Sequence, residues 1–201
     1  GGWGRGGRGR EGRRQRGPGG RSGKLRAAEA VRVREVGQRR LEEHVPAAYL
    51  AKEAWLGEHR LHVDERVIMP RSYFVELLPQ IAELFGNGAV KHAVDVCTGS
   101  GCLAILLAHQ FTRAKVDAIE LSPDALAVAK FNIATHGLAK RVRLFHSDVF
   151  DAVPRVKYDL ILSNPPYVPT RELRALPAEF KNEPRMALDG GRDGLDVNRQ
   201  P

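Results

Sequence analysis

The sequence predicts an α/β fold built on a parallel sheet, and three observations carry that expectation. From residue 91 onward, short apolar runs alternate with stretches of helical periodicity. The first run leads into a glycine turn, Thr98-Gly99-Ser100-Gly101, and then into an apolar helix, the way nucleotide-type α/β sites begin. Finally, polar side chains that accept hydrogen bonds recur near the ends of the runs: Asp95, Glu120, Asp148 and Asn164. In such sheets ligand groups collect beyond the carboxyl ends of the strands.

The amino-terminal stretch does not share this pattern. The 201 residues carry a formal net charge of +8, but residues 1–40 hold +10 and the remainder −2. The basic character belongs to an arm, so a basic nucleic-acid-binding body is not expected. Residues 1–24 contain eleven of the twenty-one glycines, many arginines and almost nothing apolar, a composition that cannot offset its ordering entropy. This arm is expected to be disordered. A solvated tail is the plainer reading; a weak RNA contact through arginine and Trp3 is the functional one. No apolar run approaches the ~18 residues of a membrane span, and no signal-peptide pattern is present. Cys97 and Cys102 flank the glycine turn and have no metal-type spacing with histidines, so they read as reduced thiols of a cytoplasmic protein with no metal ligands.

Residues 25–45 alternate Ala, Val and Leu with Arg and Glu at helical spacing, giving one or two amphipathic helices broken or kinked near Gly37. A short helix is expected over 47–55. The alternation at 60–63 and 66–69, around Asp64-Glu65, predicts a small hairpin. His62 lies in it and is assigned no role. Ser72 is the expected N-cap of a helix that ends at Gly86-Asn87-Gly88. Arg71, just before it, reads equally as a surface charge or as part of a cleft. The organisation expected is an arm at 1–24, a helical segment with a hairpin at 25–70, and the α/β domain at 71–201.

Within that domain, 91–97 is the first strand. Asp95 is unusual in a strand buried on both faces and needs donors, such as loop N–H groups or a ligand amine. The second strand, 116–121, ends in Glu120 about twenty residues after the turn, the spacing at which a carboxylate accepts from a ribose diol. Ser122 or Pro123 starts a helix that stops at Gly137. The third strand, 142–146, is followed by Ser147-Asp148, where Asp148 is placed to accept from an adenine amino group. His146 reads as packing. The fourth, 158–163, is an apolar run that reads as buried.

That fourth strand delivers Asn164-Pro165-Pro166-Tyr167. Two prolines stiffen the loop. Asn164 offers a side-chain carbonyl, and Pro165 a backbone carbonyl without an N–H. Paired acceptors of this kind suit a planar –NH2 group, and Tyr167 adds an aromatic face to hold it. An ordinary Asn-Pro turn is the competing reading of the tetrapeptide alone.

Taken together, residues 46–196 resemble the class I S-adenosylmethionine-dependent methyltransferases, and within them the HemK/PrmB protein-glutamine N5-methyltransferases. The resemblance rests on Ala48-Tyr49-Leu50, Pro70-Arg71-Ser72, Asp95-Val96-Cys97-Thr98-Gly99-Ser100-Gly101-Cys102, Asp117-Ala118-Ile119-Glu120-Leu121-Ser122-Pro123, Ser147-Asp148, Asn164-Pro165-Pro166-Tyr167, Pro177-Ala178-Glu179-Phe180, Asn182-Glu183-Pro184 and Gly194-Leu195. The Cys-Thr-Gly-Ser-Gly-Cys turn with Pro-Arg-Ser upstream is similar to the PrmB branch, which modifies a glutamine of a large-subunit ribosomal protein. The resemblance implies S-adenosyl-L-methionine as cofactor, bordered by Asp95, Cys97, Thr98, Gly99, Ser100 and Gly101. Glu120 would lie at the ribose, where many relatives carry Asp, and Asp148 at the adenine. Asn164 and the Pro165 carbonyl would hold the glutamine amide, next to Pro166 and Tyr167.

Against the family pattern, most of the helical recognition domain is replaced by the Gly/Arg arm, and the chain stops after about four strands of the usual seven. A truncated domain is therefore expected, with strand four an uncovered edge. The alternatives to a ribosomal-protein glutamine are a release-factor glutamine, a nucleic-acid amino group, and an inactive fragment tethered to RNA by its arm.

Overall fold

The computed structural model describes residues 27–86 and 88–200. The chain divides into two units, Gly1–Glu35 and Val36–Pro201. The first is described only over 27–35, the leading part of helix α1 (Ala27–Leu41). The Gly/Arg arm and its RNA reading lie outside the described residues. Helix α1 passes through Gly37 without the expected break. A Cβ there would meet nothing within 4 Å, so Gly37 marks no close approach and costs the helix only about 1 kcal/mol relative to Ala.

Two further expectations for 47–70 are corrected. Helix α2 (Ala47–Ala51) stops early, because Lys52 turns into the left-handed region at φ 55°. Trp55 then lies in strand β1 (Ala54–Leu56), which pairs antiparallel with β2 (His59–Leu61) around Gly57 at φ 58°. The hairpin is therefore upstream of the predicted one, and 66–69 forms no strand. Its apparent alternation comes from Val63 and Val67, both buried, on either side of a tight turn. Asp64 makes that turn by accepting from the Arg66 N–H at 3.2 Å and from its guanidinium at 2.8 and 2.6 Å. The Tyr49 hydroxyl, donating to the Val67 carbonyl at 2.5 Å, fixes α2 against it.

Helix α3 (Phe74–Phe85) begins one residue later than a Ser72 cap would place it. The Ser72 hydroxyl nevertheless accepts from the Phe74 N–H at 3.2 Å. Next comes the sheet: β3 (His92–Val96), β4 (Lys115–Glu120), β5 (Val142–His146) and β6 (Leu160–Ser163), all parallel, in the order β5-β4-β3-β6. Helix α4 (Cys102–Gln110) connects β3 to β4, and α5 (Pro123–Thr135) connects β4 to β5. Helix α5 starts as expected, with the Ser122 hydroxyl accepting from the Ala125 N–H and Pro123 in the first turn.

Side-chain alternation along the strands sorts residues to two faces. Ala93, Val116, Ala118, Leu160 and Leu162 pack with α4, whose residues from Leu103 to Ala108 are all buried, and with α5. The same cluster takes in Val45, Tyr49, Leu61, Val63 and Val67, so 45–67 shares the core of the sheet. On the other face Val94, Val96 and Ile119 meet Phe145, Val149, Phe150, Val153 and Tyr158. Buried Asp117 on that face is held bidentately by Arg143 and by the Tyr158 hydroxyl, all at 2.8 Å. The expectation that 158–163 is buried needs correction. β6 has one neighbour, β3; only Leu162 is buried, and Ile161 is 55% exposed. Its edge position is the one expected of a fourth and last strand; the burial is what fails, because an edge leaves apolar residues uncovered. No helix among the described residues is long and apolar enough to cross a membrane.

Candidate active site

Register builds the site. Val96 pairs with both Ile119 and Ser163, and Glu120 pairs with His146. The residues at the carboxyl ends of four neighbouring strands therefore come to one level: Cys97, Glu120, His146 and Asn164, with Ser147 one residue beyond. The Ser163 hydroxyl, donating to the Val96 carbonyl at 3.0 Å, ties the end of β6 to the end of β3. A cavity of about 360 Å³ opens there. Of the predicted residues, Cys97, Gly99, Glu120, Asp148, Asn164, Pro165, Pro166 and Tyr167 line it. The structure thus brings the glycine turn and the proline loop to one cleft.

The other predicted residues stand behind the wall. Asp95, Thr98 and Ser100 are buried, and with Gly101 they do not line the cavity. Asp95 is fully buried. Its Oδ2 accepts from the Thr98 hydroxyl at 2.5 Å and from the Ala104 N–H at 3.0 Å, while Oδ1 has no partner. The donors it needs come from the turn and the first turn of α4. Burial pushes its carboxyl up to about 7, partly opposed by those two donors. Gly101, at φ 81°, allows the α4–α5 approach, since a Cβ there would lie 3.3 Å from Ala129 Cα. Cys97 sits at φ 63°, a left-handed conformation uncommon outside glycine, and burial pushes its thiol up to about 12. Cys97 and Cys102 are both free thiols.

Glu120 works on the turn as well as on the cavity. Its Oε2 accepts from the Gly99 N–H at 2.8 Å and its Oε1 from the Ser122 N–H at 2.9 Å. Each oxygen keeps a further lone pair for a ligand hydroxyl. Asp148 is exposed, on a loop where Val149 takes φ 42°. His146, predicted as packing, is exposed, and its ring nitrogen meets the Leu121 carbonyl at 2.9 Å.

On the opposite side the proline loop is clamped by a segment that sequence reasoning left without a role. The Val168 N–H donates to the Leu188 carbonyl at 3.0 Å, and the Gly190 N–H to the Val168 carbonyl at 2.9 Å. A Cβ on Gly190 would lie 2.7 Å from the Pro166 carbonyl oxygen and 2.9 Å from Tyr167 Cα. Gly194, at φ 83°, packs on the Tyr167 carbonyl in the same way. Asn164 and Tyr167 remain exposed, and among the described residues no group hydrogen-bonds the Asn164 side chain.

Arg71 lines the cleft, which decides between its two readings. Its guanidinium lies 4.7 Å over the Phe180 ring and pairs with buried Glu183. Burial pushes the Glu183 carboxyl upward, and Arg71 opposes that. Nearby, Arg40 pairs with Glu179 at 2.5 Å, and the Asn182 amide donates to the carbonyls of Glu43 and His44 at 3.2 and 3.1 Å. These contacts pin 179–183 to the chain around 40–44. Arg66, also in the lining, is neutralised by Asp64. With both arginines paired, Glu120 and Asp148 leave the cleft electronegative, a field that favours a cationic ligand. Asn132 was missed altogether. Buried on α5, its amide bonds the Ser100 carbonyl at 2.9 Å and both backbone groups of His62. Nothing in a helical pattern signals such a residue.

The methyltransferase small domain model matches residues 75–191. The ribosomal protein uL3 glutamine methyltransferase of Neisseria gonorrhoeae (strain ATCC 700825 / FA 1090) is 48% identical over 186 residues, covering 88% of this chain and 60% of that protein. That of Burkholderia pseudomallei (strain K96243) is 47% identical over 186 residues, covering 88% and 61%. The chain thus spans about 60% of the length of these curated relatives. Among solved structures, the hMettl16 catalytic domain in complex with MAT2A 3'UTR hairpin 6 superposes with a TM-score of 0.55 at 16% identity, covering 87% of this chain and 61% of that one. That likeness is one of fold. Strand order, glycine turn and proline loop agree with a family match that spans more than half of the residues, and this chain belongs to the methyltransferase small domain family.

Proposed function

We propose that this chain carries the catalytic part of an S-adenosyl-L-methionine-dependent methyltransferase that modifies N5 of a glutamine side-chain amide in a ribosomal protein. One observation carries the reading. Asn164, whose side chain no described residue hydrogen-bonds, shares a cleft with Gly99 and Glu120 beside the end of β3. The names of the relatives, ribosomal protein uL3 glutamine methyltransferase, support the choice of acceptor.

The residues present fit the donor. Glu120 has lone pairs left for ribose hydroxyls, Asp148 is an exposed acceptor for an adenine amino group, and no Cβ crowds Gly99, which has nothing within 4 Å of that position. Asp95 acts one layer back, holding the turn through Thr98 and Ala104. When bound, the sulfonium supplies an activated methyl group and leaves as a neutral thioether. The chain's own work is on the acceptor. An amide nitrogen is a poor nucleophile because its lone pair is delocalised. Asn164 Oδ1 and the Pro165 carbonyl each accept one amide N–H, which polarises the nitrogen and fixes its direction. Tyr167 covers one face of the amide plane. As the nitrogen takes the methyl group it loses a proton, which leaves through the open side of the cleft to solvent. Catalysis rests on position and electrostatics.

The test offers methyl-labelled donor with recombinant ribosomal protein uL3, a release factor and ribosomal RNA in separate reactions. Label at N5 of a glutamine in uL3 is expected. Label confined to RNA ends the glutamine reading, and label confined to the release factor moves it to that acceptor. The basic arm is tested apart, by deleting residues 1–24 and following RNA binding against salt.

A further inference from the structure

Far from the cleft, three histidines from distant parts of the chain meet: His59 on β2, His109 in the last turn of α4, and His136 just after α5. One ring nitrogen from each lies within 4.8 Å of the other two. The His59 and His109 rings stack at 4.5 Å between centroids, and His136 stands edge-on to both, at 5.6 and 5.8 Å. Since α4 and α5 begin near the carboxyl ends of the strands and run back, their last turns put this group at the other end of the sheet.

We propose that His59, His109 and His136 form a binding site for a divalent transition-metal ion of the zinc class. Three features of this cluster point there. The donor set is all imidazole, which suits Zn, Ni and Cu rather than Mg or Ca. His136 already has the arrangement of a ligand whose tautomer is set by a second partner. Its Nε2 bonds the Arg60 carbonyl at 2.8 Å, so Nε2 carries the proton and Nδ1 keeps a lone pair for an ion. Two helices also end here, and the negative ends of their dipoles favour a cation. Arg141, which caps the Ala108 carbonyl at 2.7 Å, adds positive charge nearby, so the bond to the ion must come from nitrogen coordination and not from field alone.

Tetrahedral zinc at about 2.05 Å from each nitrogen brings the nitrogens about 3.4 Å apart. Closing from 4.8 Å needs side-chain rotation, which exposed His109 is free to make. The fourth position is left to water. Bound there, the ion clips the β1–β2 hairpin to α4 and α5 and so stabilises the junction between residues 54–61 and the sheet domain.

The experiment uses the full, untagged chain and zinc chloride alone. Calorimetric titration is expected to give one saturable ion per chain. The melting temperature should rise on the order of 5 °C at a zinc concentration about a hundred times Kd, with no rise for magnesium chloride. His109→Ala and, as a milder change, His109→Gln should abolish both effects while their metal-free melting and circular dichroism stay near wild type. If wild type binds no zinc, or if either variant binds it as wild type does, the site is refuted. Should His109→Ala fold poorly, His109→Gln alone decides.

Discussion

The two walls of the cleft are built in different ways. The donor wall, from β3 through the glycine turn to α4, is central in the sheet and buried, and local bonds hold it: Asp95 to Thr98 and Ala104, Glu120 to Gly99 and Ser122, Asn132 to Ser100. The proposed acceptor wall leaves the edge strand β6, and Asn164 and Tyr167 on it are exposed. It is shaped from outside, by the backbone of 188–194 pressing on 166–168, and it faces a cavity also lined by Phe180, from a segment pinned to 40–44. On the proposed function, donor binding would be local and preorganised, whereas acceptor binding would depend on distant segments. Substitutions should be able to remove one without the other.

The sharpest separation comes from Asn164→Ala. If the acceptor wall acts only on the amide, methyl transfer should fall about 100- to 1,000-fold, the loss typical of one preorganised polar group in a reaction centre. Donor affinity, measured by calorimetry, should change little. A variant that loses both together would show that the two walls are one unit.

The donor wall has its own test, through pH. An unfolded Asp titrates near ~3.9, whereas folded Asp95 does so at about 7. Between those values the folded chain keeps a proton that the unfolded chain has shed. Raising the pH therefore favours unfolding through that window, by up to about 1.4 kcal/mol per pH unit, and adds nothing above it. Asp95→Asn keeps an acceptor for Thr98 and Ala104 and removes the charge. Denaturant melts from pH 5 to pH 8 should show stability falling more steeply for wild type than for the variant. Parallel curves would show that Asp95 does not titrate there.

Glycine substitutions compare the walls directly. Gly190→Ala drives a Cβ into backbone at 2.7 to 2.9 Å, which cannot yield without moving Pro166 and Tyr167. The expected cost is about 1–3 kcal/mol, with transfer lost well beyond donor affinity. Gly99→Ala meets open space but must hold φ 55°, costing about 1–2 kcal/mol and weakening donor binding instead. The reverse pattern would undo the assignment of the two walls.

That contrast also explains what could be read from residue order. The donor wall was legible because its cues are local: an apolar run, a glycine turn, a carboxylate at the next strand end. The four strands and Ser122 as a helix cap followed from the same short-range rules. The place of the proline loop on the cleft was legible from Asn164 and its prolines at a strand end, but what shapes the loop was not. Gly190 and Gly194 owe their places to contacts with Pro166 and Tyr167, some twenty-five residues away. No periodicity reports them. The hairpin was misplaced for a related reason. Val63 and Val67 alternate because both reach the core from an irregular turn, while strands of three residues at 54–61 are too short to show a period. The edge position of the fourth strand was expected from where the strands stop, but the exposure of Ile161 was not, since it is as apolar as a buried residue would be.

Beside the β3–β6 ladder, one side-chain bond ties the walls together, and it gives the smallest expected effect. Ser163 donates to the Val96 carbonyl, which belongs to the strand end just before Cys97. Ser163→Ala removes a single hydrogen bond in a partly exposed place, worth about 1 kcal/mol of stability. If the walls are held independently, transfer should fall no more than the melting midpoint implies, because 188–194 still positions the loop. If instead this bond sets the distance from Asn164 to the turn, transfer should drop at least tenfold at saturating acceptor while both affinities stay near wild type. Measuring kcat and KM for Ser163→Ala beside its denaturant midpoint distinguishes the two. The backbone contacts at Gly190 and Gly194 outnumber this bond, and they predict the first result.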